Sequence, residues 1–438
     1  MKRVLIVSPS FPPINAPDMQ RVRMSLPHYS TCGWEPIVLA VNERYINAVR
    51  EEELLATVPT HIKIYRCNAL PLSISKLFGI GNLGLRSGWH LLWAGLRVIR
   101  REKIDLVFLS NTQFFTFPLG RLWRFLTRVP YVIDLQDPWR TDYYQQPGAR
   151  KPPGGWKYSF ARVQARLLEG WSFRRLSGFV SVSPRYIEDL RERYPWFAKI
   201  PSATIPFGTS EEDKDAALAS SSPKNGPTMK DRPIRLVYTG AGGPITPHAA
   251  RLLMQGLRRL RDRRPQTIRH LQLEFHGTSY AAADRACPTI KPIAKEFGVD
   301  DIVFENPARI GHLESMRLQA IADALIIAGS IDPAYSPSKL YPYFLAGRPM
   351  LGLVLRQSVL ERLLFDLSCA KIVSFSPEHS NDSVIEEVAA FFMHAVDGFP
   401  PGYLPERNEE LFRNEYLAPA LTARQCALFE HACQNASE

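Results

Sequence analysis

The sequence predicts an α/β protein built of two Rossmann-like, doubly wound parallel-sheet domains facing a cleft. Three observations carry that prediction. Short apolar runs alternate with amphipathic stretches along most of the chain, the pattern of strands joined by crossover helices. The alternation stops over residues 208–233 and then restarts. The length of 438 residues suits two or three domains at roughly 100–200 residues each. A composition of 45% hydrophobic and 22% charged residues is that of a protein with a large core, which excludes a disordered chain, a coiled coil and a disulfide scaffold. No run approaches the length of a spanning helix.

The elements follow in order. Met1-Lys2-Arg3 precedes VLIV (4–7), and Ser8-Pro9 then cuts the run short of a secretion-signal core, so 4–8 reads as a strand. A helix is expected over 21–32, ending near Gly33. Strands follow at 36–41 and 62–67, then a helix at 86–101 and a strand at 104–110. Helix 118–127 leads to strand 131–137. Helix 157–176, strand 178–183 and helix 184–193 complete a first domain over 1–207. Residues 208–233 are polar and Ser-rich, and read as a linker. A second domain over 234–400 repeats the pattern. Its strands are expected at 234–240, 271–277, 301–306, 322–329, 349–355 and 370–375, with helices at 246–263, 288–297, 312–322 and 339–346. A helical segment over 401–438 closes the chain and can cross back to the first domain. In such sheets ligands bind beyond the C-terminal strand ends, here in the interdomain cleft.

Charge is uneven. Residues 1–210 hold 29 Lys and Arg against 15 Asp and Glu, whereas 211–438 hold 25 against 28. Basic residues gather on 86–103, where Trp89, Leu92, Trp93, Leu96 and Ile99 recur at helical spacing beside Arg97, Arg100 and Arg101. Basic residues with tryptophan on an amphipathic helix suit an anionic membrane surface. A core-facing helix with a solvated basic face has the same spacing. No nucleic-acid-binding motif accompanies the charge. The six cysteines lack metal spacing and read as free thiols of a reducing, cytoplasmic setting. No HExxH, P-loop or GxSxG is present, and no metal is expected.

Several motifs lie where ligand loops emerge. Gly240-Ala-Gly-Gly243 follows the first strand of the second domain. Glycines there, at Gly240, Gly242 and Gly243, let backbone N–H groups approach a phosphate. Ser336-Pro-Ser-Lys-Leu340 opens a short helix, with Ser336 or Ser338 as its cap and Lys339 in its first turn. A cation opposes the helix dipole there, and makes sense if an anion sits beside it. Asp137, Trp139 and Arg140 follow the strand at 131–137, a carboxylate for hydroxyls, a ring for a sugar face and a guanidinium for phosphate. Phe11 and Pro13 lie in a rigid loop after the first strand, with Arg21 on the next helix. The GxGxxG at 79–84 follows no strand and reads as a loop.

Together FPP (11–13) with Arg21, YVIDLQDPW (131–139), VSVSP (180–184), YTGAGG (238–243), ARIGHLESM (308–316) and SPSKLYPYFLAGRPML (336–351) resemble a GT-B glycosyltransferase of the group 1, family 4 type. The resemblance spans nearly the whole chain. It implies a nucleotide-sugar donor held by the second domain, where Gly240, Gly242, Gly243, Ser336, Ser338, Lys339 and Leu340 are the candidates; the family's Arg-x-Lys is replaced by the glycines, and Arg309 could supply a second positive charge by position only. It implies a glycan or lipid-linked glycan acceptor held by the first, where Phe11, Pro13, Arg21, Asn111, Trp139 and Arg140 are the candidates. It also implies retention of configuration without metal, no cofactor, and work in polysaccharide or glycolipid synthesis at the cytoplasmic membrane face. Asp137 is the candidate catalytic residue. Ala334 and Pro342 stand where the family carries a glutamate pair, and Ser110-Asn111 where it often has a histidine. A catalytically degenerate member that binds glycan or a partner enzyme is the alternative, and a nucleotide-sugar epimerase shares the fold.

Overall fold

The computed structural model describes residues 1–77, 79–140, 156–219, 232–243, 245–279 and 285–437. The chain forms two compact units, Met1–Phe207 with Ala418–Glu438, and Gly208–Leu417.

The first unit begins with β1 (Lys2–Val7), α1 (Gln20–Ser25), β2 (Trp34–Val41), β3 (Lys63–Cys67), α2 (Leu72–Leu77), α3 (Leu83–Glu102) and β4 (Leu106–Ser110). It continues with α4 (Phe117–Thr127), β5 (Tyr131–Leu135), α5 (Trp156–Phe173), β6 (Gly178–Ser181), α6 (Pro184–Arg193) and β7 (Ser202–Thr204). All seven strands are parallel, in the order β3-β2-β1-β4-β5-β6-β7. Side chains alternate across the sheet, so its two faces feed separate cores. Leu5, Val7, Ile37 and Leu39 face α3 and α4. Val4, Ile6, Val38 and Ala40 face α1 and the C-terminal helix. The helix expected over 21–32 stops at Ser25 and continues as 3-10 turns to Gly33. Pro27 lacks the N–H an α-helix needs there. Strand β7 is short and polar, and gives no apolar run to read.

The second unit opens with α7 (Glu211–Ala219), inside the stretch read as a linker. Ser210 Oγ accepts from the Asp213 N–H, and Asp213 Oδ2 meets His312 Nε2 at 2.8 Å. Burial of Asp213 and Ala217 fixes this helix to the second unit, which its polar composition hides. The linker reading is thus corrected for 208–219, while 220–231 lie outside the described residues. Next come β8 (Ile234–Thr239), α8 (Pro247–Arg263), β9 (Leu271–His276), α9 (Lys291–Glu296), β10 (Val303–Asn306), α10 (His312–Ile321) and β11 (Ala324–Ala328). Then follow α11 (Leu340–Ala346), β12 (Met350–Leu355), α12 (Val359–Leu367), β13 (Lys371–Phe375), α13 (Asp382–Asp397) and α14 (Glu409–Tyr416). The six strands are parallel in the order β10-β9-β8-β11-β12-β13. The order reverses between β8 and β11, the switch point where such sheets take their ligands. Helices α8 and α13 cross at Gly256, where a Cβ would stand 2.4 Å from Val388 Cγ1.

The last helix, α15 (Ala418–Ser437), belongs to the first unit. Phe429 stacks on Tyr29 and meets Phe108 and Trp34 edge-on. Gln425 accepts from Tyr29 Oη at 2.9 Å and donates to Ser25 Oγ at 3.0 Å. The helical segment expected over 401–438 is therefore divided, α14 staying with the second unit and α15 covering the first sheet.

Candidate active site

In the second unit the site grows from the end of β8. Its last turn runs through Gly240 at φ +99°, left-handed backbone that favours glycine. A Cβ at Gly240 would also stand 3.3 Å from Cε and Nζ of Lys339. That lysine comes from the loop before α11. Its ammonium lies over the Tyr238 ring, 3.7 Å from the centroid, and donates to Ala241 O at 3.4 Å. No carboxylate pairs with it among the described residues. Burial of the charge pushes the Lys339 pKa down to about 7.

A buried network holds this arrangement. Tyr343 Oη accepts from the Thr239 N–H at 2.7 Å and fastens α11 to the end of β8. Burial, offset in part by these bonds, pushes its phenol up to about 12. Gln319 donates to Thr239 Oγ1 and Ser315 Oγ, both at 2.9 Å. Tyr238, Thr239, Gln319 and Tyr343 are not among the residues expected from the sequence. Tyr238 carries a signal, since it ends a strand just before the glycine loop. The others act through contacts distant in sequence.

The remaining residues expected on this side divide. Gly240 N donates to His276 O, and Gly242 N to Thr278 O, so those two N–H groups are committed to the neighbouring segment. This corrects the expectation that they reach a phosphate. Gly243 is required by packing, because a Cβ there would stand 2.3 Å from Thr289. Ser336 and Ser338 are exposed and neither caps α11. Lys339 itself is the N-cap, without a side-chain cap bond. Leu340 is fully buried, and its N–H donates to Pro337 O. Its side chain is core, not a donor contact. Arg309 is exposed on the loop after β10, and Ile310 of that loop approaches Gly277 beside Gly240.

In the first unit the strand ends hold a buried ionic cluster. Arg21 Nε lies 3.0 Å from Asp134 Oδ2, with side chains 4% and 0% exposed. Ser110 Oγ and Gln136 Nε2 donate to the same carboxylate at 2.7 and 3.1 Å, and Arg21 donates to Ile205 O at 2.8 Å. Arg21 is therefore not a surface group, and its Nη1 has no hydrogen-bond partner among the described residues. Phe11 and Pro13 are buried, and Pro13 O accepts from Glu51 N. They fix the loop and present no contact. Asn111 is consumed as well: it donates to Val7 O at 3.1 Å and accepts from Gln113 N and Thr116 Oγ1. Trp139 stacks on Phe114 at 5.6 Å and meets Phe117 and Phe173 edge-on, so one ring face is already covered. Arg140 lies 3.7 Å from buried Glu169 and donates to Tyr194 Oη.

Asp137 differs from these. It is exposed as a residue, yet desolvation of its carboxyl raises its pKa. Among the described residues no donor reaches that carboxylate. Its neighbours are acidic or phenolic. Burial raises the pKa of Asp18, Thr112 lowers it by donating through N–H and Oγ1, and the Asp137 charge raises it again. Among the described residues no group of three His, Cys, Asp or Glu is placed to hold a metal ion.

Residues 20–208 match the model of the glycosyl transferase 4-like domain. Over those residues the first unit is similar to that domain. Solved structures extend the likeness over the whole chain. An N-terminal domain of trehalose-6-phosphate phosphatase from Candida albicans is 13% identical, with a TM-score of 0.58 and coverage of 98% of this chain and 97% of that one. An α,α-trehalose-phosphate synthase (UDP-forming) from Burkholderia xenovorans, solved with glucose-6-phosphate, is 10% identical, with a TM-score of 0.56 and full coverage of both chains. The Anabaena HepE protein in complex with UDP is 11% identical, with a TM-score of 0.53 and coverage of 100% and 99%. At such identities the likeness establishes the fold alone, which is GT-B, with two Rossmann-like parallel-sheet domains. No curated protein matches the sequence.

Proposed function

We propose that this protein transfers a glycosyl group from a nucleotide sugar to a glycan or lipid-linked glycan. One observation carries the reading. At the switch point of the second sheet, Lys339 holds a desolvated ammonium with no carboxylate partner among the described residues. A buried cation left unpaired is costly, and a bound anion relieves the cost. A nucleoside diphosphate supplies that anion, and the UDP in the Anabaena structure supports this donor class.

When the bond between the anomeric carbon and the diphosphate breaks, negative charge grows on the leaving phosphate. Lys339 stabilises it there. Tyr343 and Thr239 act earlier, by holding α11 so that the lysine needs no rearrangement. The acceptor oxygen forms the new bond, and its proton leaves with the departing phosphate or passes to a base. Asp137 is our candidate to orient that hydroxyl or to face the positive charge on the sugar, and its unpaired carboxylate supports the choice. Retention without metal, a role in cell-surface polysaccharide or glycolipid synthesis, and a place on the cytoplasmic face of the membrane complete the proposal. The basic residues of 86–103 and exposed Trp89 and Trp93 among them support the last. Among the described residues no helix is long and apolar enough to cross a membrane.

The alternative is a member that binds without catalysis, favoured by Ala334 and Pro342. Neither carries a carboxylate for a donor ribose. The test is thermal shift of the full chain against UDP-, GDP- and dTDP-sugars with and without magnesium, followed by product analysis. A ligand at 100 times its dissociation constant adds about 2.7 kcal/mol. A shift with one nucleotide, abolished by Lys339→Ala and followed by sugar transfer, is the expected result. Binding without transfer or hydrolysis establishes the non-catalytic member. No shift with any nucleotide sugar overturns the proposal.

A further inference from the structure

Helices α3, α4 and α5 lie side by side on one face of the first sheet, with Leu91, Leu96, Trp123 and Phe173 turned into the core. Their outward sides are unlike a solvated helix surface. Trp89 is 68% exposed on α3, Phe125 84% on α4 and Leu167 69% on α5. The three helices carry two carboxylates, and both point inward. Glu102 is bound by Lys63 and Tyr65, and Glu169 by Arg193 and Arg140. The outward face therefore joins large apolar side chains to guanidinium groups, of which Arg101 lies 3.7 Å from Glu102.

A recess of about 590 Å³ opens in the same layer, walled by Arg121, Trp171, Arg174, Arg175, Tyr194 and Trp196. The Arg121 guanidinium lies over the Trp171 ring, 4.4 Å from its centroid, and donates to Trp171 O, which fixes both. The guanidinium groups of Arg174 and Arg175 are exposed and meet no acid among the described residues. Trp171 belongs to the recess and also continues the exposed stripe of Val163 and Leu167, each one helical turn apart. Arg121 stands one turn before Phe125. The cation cluster and the apolar stripe thus share their residues.

We propose that this recess binds the phosphate of an anionic phospholipid, with the outward sides of α3, α4 and α5 resting on the membrane. Guanidinium groups bind phosphate through paired N–H donors. Tryptophan suits the headgroup level, and the leucine and phenylalanine beside it suit the acyl boundary. A soluble phosphate accounts for the arginines and leaves the apolar stripe unexplained. The inference extends the contact through residues 86–103 to a defined headgroup site. It needs no donor, so its failure and that of the transfer reading are separable.

The test is co-sedimentation of the full-length protein, without nucleotide sugar, with vesicles of phosphatidylcholine alone and of phosphatidylglycerol and phosphatidylcholine at a ratio of about 3 to 7. The expected result is binding to the anionic vesicles only, weakened about tenfold or more in the double variant Arg174→Ser, Arg175→Ser. Arg362→Ser, on α12 of the second unit, is the control and binds as wild type. Phe125→Ser with Leu167→Ser weakens binding to vesicles and leaves the affinity for glycerol phosphate unchanged. Absence of vesicle binding overturns the proposal. So does equal binding by the Arg174 and Arg175 variant, even where Arg97, Arg100 and Arg101 changed together to Ser abolish it. Glycerol phosphate bound as tightly as vesicles, with no effect of the apolar changes, replaces the lipid with a soluble phosphate ligand.

Discussion

The two units treat charge at their strand ends in opposite ways. In the first, Arg21 is neutralised by Asp134 and Arg140 by Glu169, inside the protein. In the second, Lys339 rests on an aromatic ring with nothing negative opposite it among the described residues. Asp137 is the first unit's exception, a carboxylate that no donor reaches among those residues. The difference teaches that a charged residue in a motif announces a role, while its partners decide whether the charge serves a ligand or the fold.

The comparison breaks most sharply at Asp137. Asp137→Asn keeps the shape and removes the charge. Transfer is expected to fall by about 100–10,000-fold while donor-induced thermal shift is kept. Equal activity would return Asp137 to the status of a surface residue. Next in size is Arg21→Ala, which leaves Asp134 buried without its cation. The first unit should lose about 3–5 kcal/mol of stability, read as a lower denaturant midpoint by tryptophan fluorescence. Donor affinity should not change.

The same substitution type has the reverse signature in the second unit. Lys339→Ala removes an unpaired, half-buried cation, so stability is kept or rises near neutral pH. Donor affinity falls about 10–100-fold, since hydrogen bonds to charged groups contribute about 1.5–3 kcal/mol. Lost stability with unchanged affinity would make Lys339 a structural residue like Arg21.

The smallest effect is a pH dependence. In the free protein Lys339 titrates near 7, below its value in an unfolded chain. A bound anion favours the charged form and raises that pKa. Donor affinity is therefore full below pH about 7 and falls about tenfold per unit above it, until the bound-state pKa is reached. For the ligand-free fold the sign is opposite, because the unfolded chain binds the extra proton. Stability from this group rises as pH climbs from about 7 toward the ordinary lysine value. Titration calorimetry across pH 6–9 reads the first, and in Lys339→Ala the slope should vanish.

Much of the fold is legible in the amino-acid sequence alone. Strands buried on both faces must be apolar throughout, so β1, β2, β4 and β5 stand out as runs between helical stretches. The elements that escape such a reading are polar or short. Strand β7 has three residues, and α7 hides in a Ser-rich stretch because one side of it is held by His312 and Arg317. Of the candidate site, Lys339 and Asp137 stand out by type and position, one as a cation opposed to a helix dipole and the other as a carboxylate after a strand. Phe11, Pro13, Asn111 and Leu340 share those positions and prove to be packing or bracing residues.

The sequence by itself determined the fold class, the alternation of strand and helix, and the basic character of the first half. Local propensity and apolar periodicity suffice for these, since each is written within a few residues. Tertiary structure alone decided that α15 covers the first sheet, that Tyr238 lies under Lys339, and that Glu169 rather than a ligand takes the charge of Arg140. Each of these joins residues far apart in the chain. Whether a polar group is free or consumed depends on which partners the fold delivers to it.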